Sequence, residues 1–411
     1  MSMGHGRLGP VGRFYEIRSD RTGAVELELT QARLDDAVVH EGTLVGEEVR
    51  VSCRGVSIVS DADGPVGAPL DPLVLGAPDV CFDPAAGGVR TRDNRLAGGA
   101  FNDVASQAAG FGMVNTFVHA SRAARHLNML LAELGAQPLP VLPIVVSAHC
   151  GSRLPGFGHR DGDFRSGRMR PLSGGHYRLS QRTTGVPEPL EVCPSGEVHL
   201  GPGRLRQNFA GHDDYLRAAS HNPATVYHEM GHHLCRHTAD FRLNAERLPA
   251  EQRNGKPGVE EGICDLLAAS LLGTGRPYGW YRRERGERRD PDSWRESDHD
   301  SGDTYAIGAR WATMWWRCRT GLLATAQLSP VDHDRVMVST LLDLGQLAGP
   351  GADAAGRRVR QVVRSSPDNV IGAYLDNVRR AGGSRAFDAA SNVVESMPLA
   401  AVAGMPRRGA C

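Results

Sequence analysis

Polar and apolar residues alternate with a period of two over residues 25–30 and again over 44–51, and residues 51–59 run β-branched. The stretch from residue 14 to about 75 therefore reads as strands. Residues 61–72, rich in Gly, Pro and Asp, mark a turn or linker. The apolar period then lengthens to that of a helix. Phe111, Val114, Phe117 and Val118, followed by Leu127, Leu130, Leu131 and Leu134, predict a helix over 101–135 with Gly135 as its C-cap. The apolar run 141–146 predicts a buried strand, and the Gly/Arg-rich residues 151–175 predict a loop. Short strands are expected at 177–179 and 197–200, the second as an edge strand. Pro223, with Asn222 or Ser220 as a cap, opens a helix whose Val226, Met230 and Leu234 face the core. Beyond it the pattern is mostly helical: 262–272, 305–320, 331–347, 354–363, 368–380 and 384–396.

A chain of 411 residues holds two or three domains with sizeable cores. Residues 1–95 are expected to form a small β-rich N-terminal domain. Forty-seven Lys and Arg against 47 Asp and Glu give no net charge, which argues against a nucleic-acid partner. The Arg-rich stretch 281–290 is interleaved with Glu and reads as a solvated surface loop. No apolar run approaches the roughly 20 residues of a membrane span. Residues 1–13 are Gly-rich and carry no apolar signal core. The expectation is a chain without a membrane span that works in the cytoplasm. The eight cysteines contain no Cys-x-x-Cys pair and read as reduced thiols. Among them Cys235 and Cys264 lie on the helices that carry the candidate chemistry.

That chemistry starts at His228-Glu229-Met230-Gly231-His232. Residues four apart on a helix lie about 40° apart around its axis, so both imidazoles can serve one zinc ion. Glu229 is then placed to face the ion's open position as a general base. A third protein ligand is needed, and Glu261 in the run Glu260-Glu261-Gly262-Ile263-Cys264-Asp265 is the candidate. Asp265, four residues on, shares its helix face and suits an outer carboxylate that orients a ligating histidine. Glu260 points about 100° away from Glu261, so only one of the pair ligates. His233 and His237 read as packed or solvated, and Trp311, Trp315 and Trp316 as helix core.

These motifs resemble the gluzincin metallopeptidases, in particular the thermolysin and fungalysin families. The segment Tyr305-Ala-Ile-Gly-Ala-Arg-Trp-Ala-Thr-Met-Trp-Trp316 adds to the likeness, which spans roughly residues 100–345. The resemblance implies an α+β fold of the thermolysin type, with a β-containing lobe, a mostly helical C-terminal lobe and an active-site cleft between them. With the N-terminal β domain in front, the lobes take residues 96–240 and 241–411. It also implies Glu261 as third ligand and Asp265 as its outer carboxylate. The families carry an oxyanion-stabilising His where this chain has Tyr305. A phenol is a neutral donor near pH 7, and His299 in Asp298-His299-Asp300 is the alternative.

The expected activity is hydrolysis of peptide bonds in a peptide or protein substrate, with one Zn2+ and catalysis by Glu229 and Tyr305 or His299. An intracellular role in removing leaders from small precursors is a narrower expectation. The alternatives are a non-catalytic zinc-containing binding protein of the same fold and a zinc hydrolase of non-peptide amides.

Overall fold

The computed structural model describes residues 11–19, 25–34, 36–40, 43–52, 81–83, 88–90, 99–146, 149–151, 169–171, 174–178, 196–201, 205–207, 214–216, 218–241, 257–278, 289–292, 304–347, 350–352, 358–360 and 366–397. Helices and strands are both present, as an α+β chain requires. Two compact units emerge, residues 1–125 with 140–229 and residues 126–139 with 230–411.

In the first unit, β1 (Val11–Ser19) and β2 (Val25–Arg33) form an antiparallel hairpin in which Val11 faces Arg33. Strands β3 (Val38–His40), β4 (Thr43–Val45) and β5 (Val49–Ser52) follow. The alternation over 44–51 thus splits into two strands, closed by a Gly46 N–H to Val49 carbonyl bond of 2.9 Å. Next come β6 (Cys81–Asp83), β7 (Gly88–Arg90) and the long helix α1 (Gly99–Glu133). Then follow β8 (Leu142–Val146), β9 (His149–Gly151), β10 (Met169–Pro171), β11 (Gly175–Arg178), β12 (Glu197–Leu200), β13 (Leu205–Gln207) and β14 (Asp214–Leu216).

The principal sheet has six strands in the order β11-β12-β8-β5-β4-β3. Strands β12, β8 and β5 run parallel, with Val198 and Val51 both opposite Ile144. Both faces of such strands are buried, and β8 and β12 are accordingly nearly all buried, β12 including its His199. One expectation changes here. Among the described strands β12 is interior and β11 stands at the edge, because β12 has β8 on its other side. Strands β3–β5, which lie before residue 95, belong to the same sheet as β8.

Helix α1 is locked into this unit by polar contacts as well as packing. Phe111 meets Tyr15 edge-on at 5.1 Å. The Asn115 side chain accepts from the Tyr15 amide at 3.0 Å and donates to the Ser220 carbonyl at 2.9 Å. His119 donates from Nε2 to the Tyr15 carbonyl at 2.9 Å and accepts the Tyr227 hydroxyl at Nδ1, at 2.8 Å. Burial, with Arg122 nearby, lowers the His119 pKa from 6.5 to about 3, so the ring stays neutral.

Helix α2 (Pro223–His237) carries the candidate motif and is continuous from one unit into the next. Pro223 takes the first helical position, where its missing N–H costs nothing. Asn222 caps it, accepting from the Ala224 amide at 3.0 Å. Val226, Met230 and Leu234 are buried as expected.

The second unit adds α3 (Gly258–Leu272), α4 (Thr304–Ala324), α5 (Pro330–Leu347), β15 (Pro350–Ala352), β16 (Arg358–Arg360) and α6 (Pro367–Ser396). The helix expected over 354–363 is corrected: β15 and β16 pair antiparallel, with Gly351 opposite Val359. The break expected between 380 and 384 is a kink inside α6 at Gly383, where φ is 73°. Trp311 and Trp315 stack at 5.0 Å inside the helical core. Asp334 on α5 gathers His126 at 3.1 Å, Ser270 at 2.5 Å and Arg319 at 2.7 Å. No helix among the described residues is long and apolar enough to cross a membrane.

Candidate metal centre

Two close helix approaches build the site. On α2, a Cβ placed at Gly231 would lie 2.7 Å from the Cys264 Cα and 2.9 Å from its sulfur, so only glycine lets α3 come this near. On the far side of α3, a Cβ at Gly262 would lie 2.5 Å from the Trp311 Cβ, and one at Gly308 would lie 2.8 Å from the Glu261 Cβ. Helix α3 is thereby fixed against α4. Its residues 260, 261, 264 and 265 are all buried.

His228, Glu229, His232 and Glu261 are 6%, 3%, 1% and 0% exposed, respectively. Four ionisable side chains this deep need partners or a bound ion. His232 has Glu260 on one ring edge, with Nδ1 2.6 Å from the carboxylate. With Nδ1–H donating to that carboxylate, Nε2 is the nitrogen that can serve a metal. The Nε2 atom lies 3.6 Å from a Glu261 oxygen. Ligands at zinc–nitrogen and zinc–oxygen distances around a tetrahedral ion stand about 3.4 Å apart. The donor types and this spacing suit two ligands of one metal ion. The donor atoms of His228, His232 and Cys264 also lie within 4.8 Å of one another, a buried group that could hold a metal ion.

A carboxylate contact on the His232 ring thus comes from Glu260. Asp265 accepts from the Tyr278 hydroxyl at 2.8 Å and from Arg289 at 2.9 Å and 2.7 Å. Arg289 also reaches Glu261 at 3.4 Å. Burial opposes the Arg289 charge, but Asp265, Tyr278 and Glu261 outweigh it and hold the guanidinium protonated well above its ordinary value. The sequence pattern places Arg289 in a solvated loop, but the structure sets it against buried carboxylates. Two buried carboxylates on α3 need a counter-charge, and Arg289 supplies it. The rest of that loop from 281 to 288 lies outside the described residues.

Tyr305 is 42% exposed at the start of α4, and the Arg289 guanidinium stands 4.8 Å from its ring centre. His299 lies outside the described residues. His233 and His237 contact each other at 4.7 Å, and His233 is buried. Glu229 rests on the edge strand: a Cβ on Gly175 would come within 2.5 Å of its Oε1.

Three functional candidates escaped the sequence reading: Glu260, Arg289 and Cys264. Only Cys264 had a signal, since it stands three residues after Glu261 and so shares its helix face. Burial, a hydrogen bond with Cys235 and the acids Glu260 and Glu261 all push its thiol pKa well up. Cys235, Cys264 and Cys318 are buried thiols outside any disulfide. Comparison of the chain with models of protein families finds no match, and comparison with curated proteins finds none either.

Proposed function

We propose that this protein is a zinc-dependent endopeptidase. The observation that carries the reading is the pair of carboxylates on the His232 ring, Glu260 at 2.6 Å from Nδ1 and Glu261 at 3.6 Å from Nε2. One orients the imidazole and the other faces its lone pair, the arrangement a ligating histidine requires. His228, His232 and Glu261 would hold the ion. Zinc, when bound, supplies Lewis acidity toward a scissile carbonyl and lowers the pKa of water.

The chain's own groups do the rest. Glu229 takes a proton from the attacking water and returns it to the leaving amine. The Tyr305 phenol donates to the oxyanion, with His299 as the other candidate for that role. Strand β11 is the edge of its sheet among the described residues, and its Gly175 lies against Glu229. An extended peptide added to that edge passes beside the catalytic carboxylate, which favours a peptide over a compact amide.

A second reading, a zinc protein without catalysis, has one observation in its favour. Cys264 offers a fourth protein donor, and closed four-ligand shells are the mark of structural zinc. A diverse peptide library treated with wild type and with Glu229→Gln, with zinc measured in both, separates the two. The peptidase reading expects one zinc in each protein and cleavage by wild type alone. Zinc in both with cleavage in neither favours the second reading, and absence of zinc from wild type sinks both.

A further inference from the structure

Besides Glu260 at Nδ1, helix α3 brings two further donor types toward the His232 ring, a carboxylate and a thiol. Glu261 and Cys264 stand three residues apart and share a face. The Cys264 sulfur lies within 4.8 Å of the donor nitrogens of both His228 and His232. Nothing but backbone separates it from the turn of α2 at Gly231, where a Cβ would meet that sulfur at 2.9 Å. Tetrahedral zinc holds nitrogen and sulfur ligands about 3.6 Å apart, so a small side-chain adjustment brings these three donors to ligand spacing, with Glu261 3.6 Å from His232 Nε2.

We propose that Cys264 is itself a ligand of the metal, its sulfur joining His228, His232 and Glu261 in a four-donor resting site. The proposal rests on the functional reading only for the identity of the ion. On binding, the S–H bond breaks as the metal–sulfur bond forms, and the proton leaves to solvent. A thiolate donor selects zinc and its relatives over magnesium or calcium. It also occupies the position that a catalytic site leaves open, so substrate must displace it.

Cobalt substitution reports the bond directly. The full-length protein loaded with Co2+ should show an intense near-ultraviolet thiolate-to-cobalt absorption band. Cys264→Ser should lose that band while keeping the weaker visible bands of cobalt held by the remaining donors. Cys235→Ser, which alters the neighbouring thiol, should keep both. Cobalt bound by wild type without the thiolate band overturns the proposal, and so does a band that survives Cys264→Ser. Because wild type alone gives the first answer, a poorly folding variant does not shield the idea. The band is read without substrate, so failure of peptide cleavage leaves it standing and its loss leaves cleavage to be judged separately.

Discussion

Glu260 holds His232 by its Nδ1 edge at 2.6 Å, and both side chains are almost fully buried. A carboxylate in that position fixes the tautomer and strengthens the other nitrogen as a ligand. Glu260→Gln keeps the shape but replaces an anion with a neutral amide. Zinc affinity should fall about 10- to 100-fold, measured by competition with a chromophoric chelator. Unchanged affinity would mean that Glu260 only packs.

Gly175 and Glu229 test catalysis apart from metal binding. In Gly175→Ala the new Cβ would stand 2.5 Å from the Glu229 Oε1 and 3.0 Å from its Cδ. The flexible end of the glutamate yields more readily than the strand, so the fold should persist with the carboxylate displaced. A misplacement of about 1 Å costs on the order of 100-fold in rate. The expected variant is folded, carries wild-type zinc and cleaves peptides about 100-fold more slowly. Full activity would remove Glu229 from the role of base.

His228, Glu229 and His232 were legible because a helical spacing of four is local and needs no tertiary information. Helix α1, β8 and β12 were legible for the same reason: one apolar period each. The parallel pairing of β5 with β8 was not, since it joins Val51 to Ile144 across a long intervening segment whose contacts no local pattern encodes. The role of Glu260 was missed for a geometric reason. Adjacent helix residues diverge by about 100°, so only one can ligate, but an imidazole offers nitrogens on two edges and can take both. Arg289 was hidden by its neighbours, since an Arg/Glu-rich stretch looks solvated until the buried Asp265 is known to need it.

That need sets a stability prediction. Asp265 is fully buried and Arg289 partly so, with bonds of 2.9 Å and 2.7 Å between them. Asp265→Asn leaves the guanidinium short of its main counter-charge, and breaking such a pair costs about 3–5 kcal/mol. Tyr278→Phe removes one hydrogen bond to the same carboxylate and should cost only about 1 kcal/mol. Urea denaturation of the two variants should rank them in that order. Equal losses would show that the ion pair adds nothing beyond its hydrogen bonds.

Two buried histidines, one in each unit, set the acid limit. Burial, with Arg122 beside His119 and Arg319 beside His333, lowers both pKa values from 6.5 to about 3. Each ring is neutral in the folded chain while its unfolded counterpart takes a proton below 6.5. The unfolded state therefore binds more protons, and stability present above pH 6.5 is lost as pH falls toward 3. At pH 5 the loss is roughly 2 kcal/mol for each histidine. Denaturation midpoints should drop between pH 7.5 and pH 5, and His333→Gln, which cannot titrate, should flatten that drop. A slope identical to wild type would place the acid sensitivity elsewhere.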